Sequence, residues 1–289
     1  MCQECGCGQP GPAKIDGKPA EEVSSPLMRG NTAGEPGAGP PHVHAHDHEG
    51  HTHVHDHHHD HDHDHDDHDH THRTIELHQS VFAANDRLAE RNRGFFRALN
   101  LLTVNMLSSP GSGKTSFIKS TIERLGADRR VGVIVGDLET DNDARRLRVT
   151  NAPVVQITTG TLCHLDAAMI ARALGNMDPR SLDILIIENV GNLVCPSSFD
   201  LGEDLRVALL SVTEGEDKPL KYPPLFRFAD VIVVTKVDLA LAAEFDRDAA
   251  LDNISRVNPH APVFEVSSRT GQGIDAWCDY LREFRPRDI

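Results

Sequence analysis

Residues Ser108 to Thr115 read Ser-Ser-Pro-Gly-Ser-Gly-Lys-Thr and follow an apolar run containing Leu101, Leu102, Val104, Met106 and Leu107. A strand that enters a glycine-rich turn and leaves through Lys-Thr is a cradle for phosphate. Gly111 and Gly113 let the backbone curl so that its N–H groups face anionic oxygens. Pro110, Ser112 and Ser116 complete the turn. Lys114 can reach the outer phosphates and the Thr115 hydroxyl can ligand Mg2+, while the helix that starts here adds the positive end of its dipole. Ser108 stands where the general G-x-x-x-x-G-K-[ST] pattern has its first glycine.

Four further motifs extend this site. Val231 to Asp238 form a strand ending in Thr235-Lys236-Val237-Asp238. A carboxylate there can accept from the ring N–H and exocyclic amine of guanine, and the Lys236 stem can lie over the base. The usual pattern has Asn before the Lys, so Thr235 is expected to lose one supporting hydrogen bond. Ser267 opens a small polar loop with Gly271 and Gly273 that could back the base with amides; an ordinary β–α turn fits that stretch equally well. Asp137 closes a strand as Gly136-Asp137, a position from which a carboxylate can hold Mg2+. Glu188 closes Ile186-Ile187-Glu188, and Gly191 follows three residues later, where a backbone N–H could sense a γ-phosphate. Taken singly, either acid could instead be a helix cap or part of a solvated loop.

Sulfur and imidazole make a second chemistry. Cys2, Cys5 and Cys7 put three thiols within six residues. Such donors suit Ni2+ in square-planar form or Zn2+ in tetrahedral form, with the α-amino group as a further donor. Sixteen His interleaved with Asp lie between His42 and His72. That spacing suits metal storage better than catalysis, and the tract is internal and mixed, unlike an expression tag. Cys163-His164, at the expected start of a helix, and Cys195, in the loop after Glu188, make a sharper set. Two thiols and an imidazole leave one position for water, a carboxylate or a ligand from a second subunit. Cys278 has no evident partner and reads as core.

The elements that must position these residues follow from patterning. Of 289 residues, the first 72 carry 14 acids and three Lys or Arg, a net of −11, against −15 for the whole chain. They hold almost no large apolar side chains, so a disordered metal-binding tail is expected over 1–72 and a single folded domain over 73–289. The domain is left near neutral, and no basic stripe suggests nucleic acid. No run approaches the roughly 18–20 apolar residues of a membrane span. The first residues lack a charged patch followed by an apolar run, so a cytoplasmic, reducing location is expected.

A helix is expected from Thr74 on. Strand-like runs at Leu101–Leu107, Val131–Val135, Val154–Ile157, Ile184–Ile187, Val207–Val212, Val231–Val234 and Val263–Val266 then alternate with helical patterns at Ser116–Leu125, Asp141–Val149, Leu162–Leu174, Arg247–Val257 and Ile274–Phe284. This alternation predicts an α/β fold of the P-loop NTPase kind, with a mostly parallel sheet covered by helices on both faces. Ligands then sit at the carboxyl ends of the strands.

With these motifs in order, the chain resembles the HypB-type hydrogenase nickel-incorporation GTPases. The resemblance rests on Cys2-x-x-Cys5-Gly-Cys7, the His-rich tract, Asn85-Asp86-Arg87-x-Ala89-x-x-Asn92-Arg93, Ser108–Thr115, Thr161-Leu-Cys163-His164, Glu188 through Cys195-Pro196, and Lys236-x-Asp238. It implies a GTPase that delivers nickel to [NiFe]-hydrogenase large-subunit precursors with a nickel-transfer accessory protein. It further implies a tight nickel site at the terminal Cys cluster, a weaker nickel or zinc site at Cys163, His164 and Cys195, and a homodimer linked to GTP. Two rivals remain. One is a metal-storage protein with a structural nucleotide site. The other is a urease-type nickel GTPase, for which Cys-Pro-His would be expected in place of Cys195-Pro196-Ser197.

Overall fold

The computed structural model describes residues 13–25, 27 and 69–285, with backbone alone for 69–81. Cys2, Cys5, Cys7 and the histidine tract through His68 lie outside the described residues. The chain divides into two compact units. One, residues 30–81, is described only by the first turns of a helix; the other holds residues 1–29 and 82–289 and carries everything below.

In chain order the elements are β1 (Lys14–Ile15), β2 (Lys18–Pro19), α1 (Asp69–Ala98), β3 (Leu102–Leu107), α2 (Lys114–Leu125), β4 (Val131–Asp137) and α3 (Asn142–Arg148). There follow β5 (Val154–Thr158), α4 (Ala167–Ala173), β6 (Ile184–Glu188), β7 (Leu205–Ser211), α5 (Lys218–Lys221) and α6 (Pro223–Arg227). The chain closes with β8 (Val231–Thr235), α7 (Arg247–Val257), β9 (Val263–Val266) and α8 (Ile274–Glu283). Among the described residues no helix is long and apolar enough to cross a membrane.

Nine strands form one sheet in the order β2-β1-β5-β4-β6-β3-β7-β8-β9. The seven strands β3 to β9 run parallel, and the hairpin β1–β2 adds antiparallel at the β5 edge. Alternation along each strand sorts side chains to two faces. Val104, Met106, Val133, Val135 and Ile186 pack with α2, α3 and α8. Ile134, Leu185 and Ile187 point the other way, onto α4 and Phe96 of α1. Ala208, Leu210, Ile232 and Val234 extend that second layer under α6 and α7. Covering helices on both faces explain why these strands are near-continuously apolar. Cys278 is fully buried in the first layer, where burial pushes its thiol up to about 11.

Three expectations are corrected. Residues 13–27 do not stay outside the domain: Ile15 is fully buried, and Ala20 and Leu27 join the α4 layer. Second, α1 begins at Asp69, upstream of Thr74, and so takes in the last residues of the histidine tract. Third, α4 starts at Ala167, capped by Asp166, whose carboxylate accepts from Met169 N at 2.7 Å. Cys163 and His164 therefore lie in the loop before the helix.

Candidate functional site: a phosphate cradle beside two cysteine loops

Strand order concentrates the motifs. β4, β6 and β3 are neighbours, so Asp137, Glu188 and the loop after Leu107 leave adjacent strand ends on one edge of the sheet. Register fixes this closely, since Glu188 stands level with Met106 of β3 and Val135 of β4. The chain turns from one side of the sheet to the other at β3, which is where a crevice opens in such folds.

A cavity of about 460 Å3 fills that crevice, walled by residues 110–116, Asp137, Glu188, Gly191 and Lys236. Gly111 and Gly113 hold φ of 74° and 95°, a region other residues rarely occupy, and so form the curl. Gly191 allows a close approach instead: a Cβ there would lie 3.1 Å from the Pro110 backbone, a tight contact. The loop after Glu188 and the cradle therefore pack closely at Pro110.

Ser108 explains the departure from glycine in the motif. Its buried hydroxyl accepts from Lys114 Nζ at 2.9 Å, lies 2.5 Å from Ser112 Oγ and donates to the Ser109 carbonyl. It thus holds the lysine and the turn together. Thr115 Oγ1 donates to Glu188 Oε1 at 2.7 Å, while the buried Oε2 has no partner. Burial pushes the Glu188 carboxyl up to about 7, against the pull of Lys114 and Thr115. Burial likewise lowers the Lys114 amine, which Glu188 partly offsets. Asp137 Oδ1 accepts from the backbone N–H groups of Glu139 and Thr140 at 3.0 and 2.9 Å, which fixes its carboxylate at the rim.

The Thr235–Asp238 motif is also assembled. Thr235 does not lose its supporting bond: its hydroxyl donates to the Ser112 carbonyl at 2.7 Å, tying β8 to the cradle. Lys236 adopts a left-handed φ of 59° and donates from Nζ to the Gly111 carbonyl at 2.6 Å. A non-glycine residue in this region costs on the order of 1 kcal/mol, and such strain gathers at functional sites. Ser267 contributes its hydroxyl, which donates to Asp238 Oδ1 at 2.6 Å and so orients the carboxylate.

Sequence reasoning missed three residues. Asp143 and Arg146 of α3 line the cavity, and Arg146 Nη2 donates to Ser116 Oγ at 2.9 Å. A helix two elements downstream of the cradle gave no signal for this. Asn189, beside Glu188, accepts at Oδ1 from Leu165 N at 3.3 Å and donates to Asn105 Oδ1 at 3.2 Å. It bridges the cavity wall to the loop carrying His164.

The cysteine loops leave the same edge. Cys163-His164 follow β5 and Cys195 follows β6, with only β4 between those strands. The loops touch, because the His164 ring stacks on Phe199 with centroids 3.8 Å apart. His164 Nδ1 is buried with no hydrogen-bond partner, and burial lowers the imidazole pKa. Asn85 of α1 spans the two loops, accepting from Ala167 N at 3.0 Å and donating to the Asp200 carbonyl at 2.8 Å. Among the described residues, however, no three His, Cys, Asp or Glu side chains come close enough to hold an ion within one chain.

Comparison with known proteins agrees with this geometry. The CobW/HypB/UreG nucleotide-binding domain family matches residues 102–265, which span β3 to β9 up to Glu265. The chain is 50% identical over 213 residues to hydrogenase maturation factor HypB of Azotobacter vinelandii, covering 74% of this chain and 70% of that protein. It is 48% identical over 213 residues to HypB of Escherichia coli K12, covering 74% and 73%. Among solved structures it is similar to HypB from Helicobacter pylori in complex with nickel, with a TM-score of 0.66 and 39% identity over 69% of this chain and 94% of that one. HypB from Archaeoglobus fulgidus gives a TM-score of 0.65 and 44% identity over 69% and 98%. The chain belongs to the HypB hydrogenase maturation factors, within the CobW/HypB/UreG nucleotide-binding proteins.

Proposed function

We propose that this protein is a GTP-hydrolysing nickel metallochaperone acting in [NiFe]-hydrogenase maturation. The observation that carries the reading is the segment from Glu188 to Cys195, which runs from the cavity wall to a thiol through Gly191. Asp238, held by Ser267, supports guanine as the base. Lys114 and the cradle amides neutralise charge on the transferring phosphoryl group, and water attacks in line. Thr115 Oγ1, Asp137 and the unpartnered Glu188 Oε2 form an oxygen donor set that fits Mg2+. That ion would supply further charge neutralisation at the phosphates.

Cys163, His164 and Cys195 are the candidate nickel or zinc donors of the domain. Their incomplete set within one chain favours completion by a second copy, hence a homodimer whose formation depends on GTP and metal. Exposed Leu138 and Val194, beside the cavity and beside Cys195, give that dimer apolar surface. Cys2, Cys5 and Cys7 make the tighter nickel site, and the histidine tract stores nickel. The recipients are a nickel-transfer accessory protein and the hydrogenase large-subunit precursor, in the cytoplasm.

Nickel binding and GTP turnover measured together on the full chain test this reading. Lys114→Ala is expected to abolish turnover, and Cys163→Ala/Cys195→Ala to remove the weaker nickel site while turnover persists. Equal nickel affinity with GDP and with a non-hydrolysable GTP analogue would overturn the switch, because linkage requires each ligand to alter the other's binding. Full hydrogenase maturation by Lys114→Ala would favour a storage protein instead.

A further inference from the structure

We infer that Asn105, Asn189, Glu203 and Arg206 form a buried polar relay that ties both cysteine loops to the wall of the phosphate cavity. The inference rests on the switch reading above and names the positioning residues through which nucleotide and metal are coupled.

The relay is built on a residue out of place. β3 is apolar except for Thr103 and Asn105, and Asn is depleted in strands. Asn105 is fully buried, level with Ile187 of β6 on one side and Arg206 of β7 on the other. A buried amide is costly unless both its ends are bonded. Here the two ends bond in opposite directions across the sheet. Asn105 Oδ1 accepts from Asn189 Nδ2 at 3.2 Å, and Asn105 Nδ2 donates to Glu203 Oε1 at 3.1 Å.

Each branch leads to a loop. Asn189 follows Glu188 and lines the cavity. Its Oδ1 accepts from Leu165 N at 3.3 Å, one residue past His164, and from Val190 N at 2.9 Å. On the other side, Glu203 Oε1 accepts from Arg206 Nε at 3.0 Å and Nη2 at 2.9 Å, while Oε2 accepts from Leu201 N at 2.7 Å. Arg206 Nη1 donates to the Ser197 carbonyl at 3.2 Å, and Nη2 reaches the Phe199 carbonyl at 3.5 Å. Ser197 lies in the single helical turn Cys195–Ser198 that begins at the thiol, and Phe199 stacks on the His164 ring.

Every side-chain oxygen and nitrogen of Asn105, Asn189 and Glu203 is bonded, so the network has no slack. When a filled cavity shifts Asn189, Leu165 must follow or a buried group is left unpaired, which costs more than the bond itself is worth. The Cys195 loop is meanwhile pinned at Ser197 and Phe199 by Arg206, which stands on β7. Movement entering at Glu188 is therefore taken up between Gly191 and Cys195, and the placement of His164 relative to Cys195 changes with it.

The test compares nickel affinity with GDP and with a non-hydrolysable GTP analogue, in the full chain carrying Cys2→Ser/Cys5→Ser/Cys7→Ser. Thiolate-to-nickel charge-transfer bands then report the remaining thiols and not the histidine tract. In that parent the two affinities are expected to differ about tenfold. Asn105→Leu removes the central link at similar volume. Arg206→Lys keeps the charge beside Glu203 but loses the planar fork that spans Glu203 and two carbonyls. Each should bring the two affinities within about twofold of each other, while GDP affinity and nickel-free GTP turnover stay within about twofold of the parent. Asn258→Ala controls for lost stability, since this buried amide donates to the Phe226 and Ala229 carbonyls between α6 and β8. It should keep the parent's ratio. The parent's ratio retained in both relay variants overturns the relay and leaves the switch standing. A ratio lost equally in Asn258→Ala also overturns the relay, because destabilisation alone then suffices. Equal affinities in the parent overturn the switch reading, and the relay with it. If Asn105→Leu does not fold, Arg206→Lys decides alone.

Discussion

Thr115 and Glu188 are joined across the mouth of the cradle by a 2.7 Å hydrogen bond from hydroxyl to carboxylate. The two candidate Mg2+ donors thus hold each other, and the second Glu188 oxygen is buried with nothing to accept from. An arrangement of this kind is poised for a cation and is unfavourable without one.

The pH dependence follows from burial. The Glu188 pKa is raised from its ordinary 4.5 to about 7. The folded protein therefore holds a proton there that the unfolded chain has already lost, and stability from this group falls as pH rises through that window. Between pH 5 and pH 7.5, the melting temperature of the nucleotide-free protein is expected to fall relative to Glu188→Gln by roughly 5 °C. Parallel pH profiles of the two proteins by calorimetry would remove the idea.

On the guanine reading proposed above, base selection falls to Asp238, with Thr235 bracing the cradle. Thr235→Val keeps the shape and deletes the bond to the Ser112 carbonyl, at a cost of about 1 kcal/mol, so GDP should bind roughly fivefold more weakly. Thr235→Asn should bind about as well as the parent. Asp238→Asn should cost GTP about 100-fold and favour xanthosine triphosphate, whose ring carries a carbonyl where guanine carries an amine. Equilibrium titration with labelled nucleotides reads both effects.

Arg146 offers a cation at the cavity mouth, resting on Ser116. Arg146→Ala is expected to lower kcat for GTP about tenfold while GDP affinity changes less than about twofold. A purely structural arginine would weaken GDP binding as well, so the split between the two measurements is decisive. Arg146→Lys should recover part of the rate.

Asn85 ties the two cysteine loops to α1 through both ends of its amide. Asn85→Ala leaves the Ala167 N–H and Asp200 carbonyl without these partners and should destabilise the fold by about 1–3 kcal/mol. In a Cys2→Ser/Cys5→Ser/Cys7→Ser background it should also weaken nickel binding at the Cys163/His164 loop. Unaltered nickel affinity alongside a lowered melting temperature would restrict Asn85 to a structural role.

Much of the fold was readable because most strands are apolar runs, and several end in a chemically distinctive residue. Asp137, Glu188, Thr235 and Val266 close β4, β6, β8 and β9 as the sequence suggests. Where patterning was weak the reading slipped. Leu162–Leu174 looked helical throughout, yet Asp166 caps the helix four residues after Leu162, and local capping overrode apolar spacing. Residues 13–27 looked unable to fold because their stability comes from main-chain bonds and a borrowed pocket, neither of which composition records.

The amino-acid sequence alone determined that a phosphate cradle follows an apolar strand, that acids close two further strands, and that three thiols cluster at residues 2–7 while Cys163 and Cys195 stand singly in later loops. Those are properties of neighbouring residues, and short-range geometry follows from them. Tertiary structure decided which distant groups meet: Thr235 with Ser112, Arg146 with Ser116, His164 with Phe199, Lys14 with Thr158. Strand order and direction set those pairings. They depend on how the whole sheet buries its two faces, which no local stretch of sequence specifies.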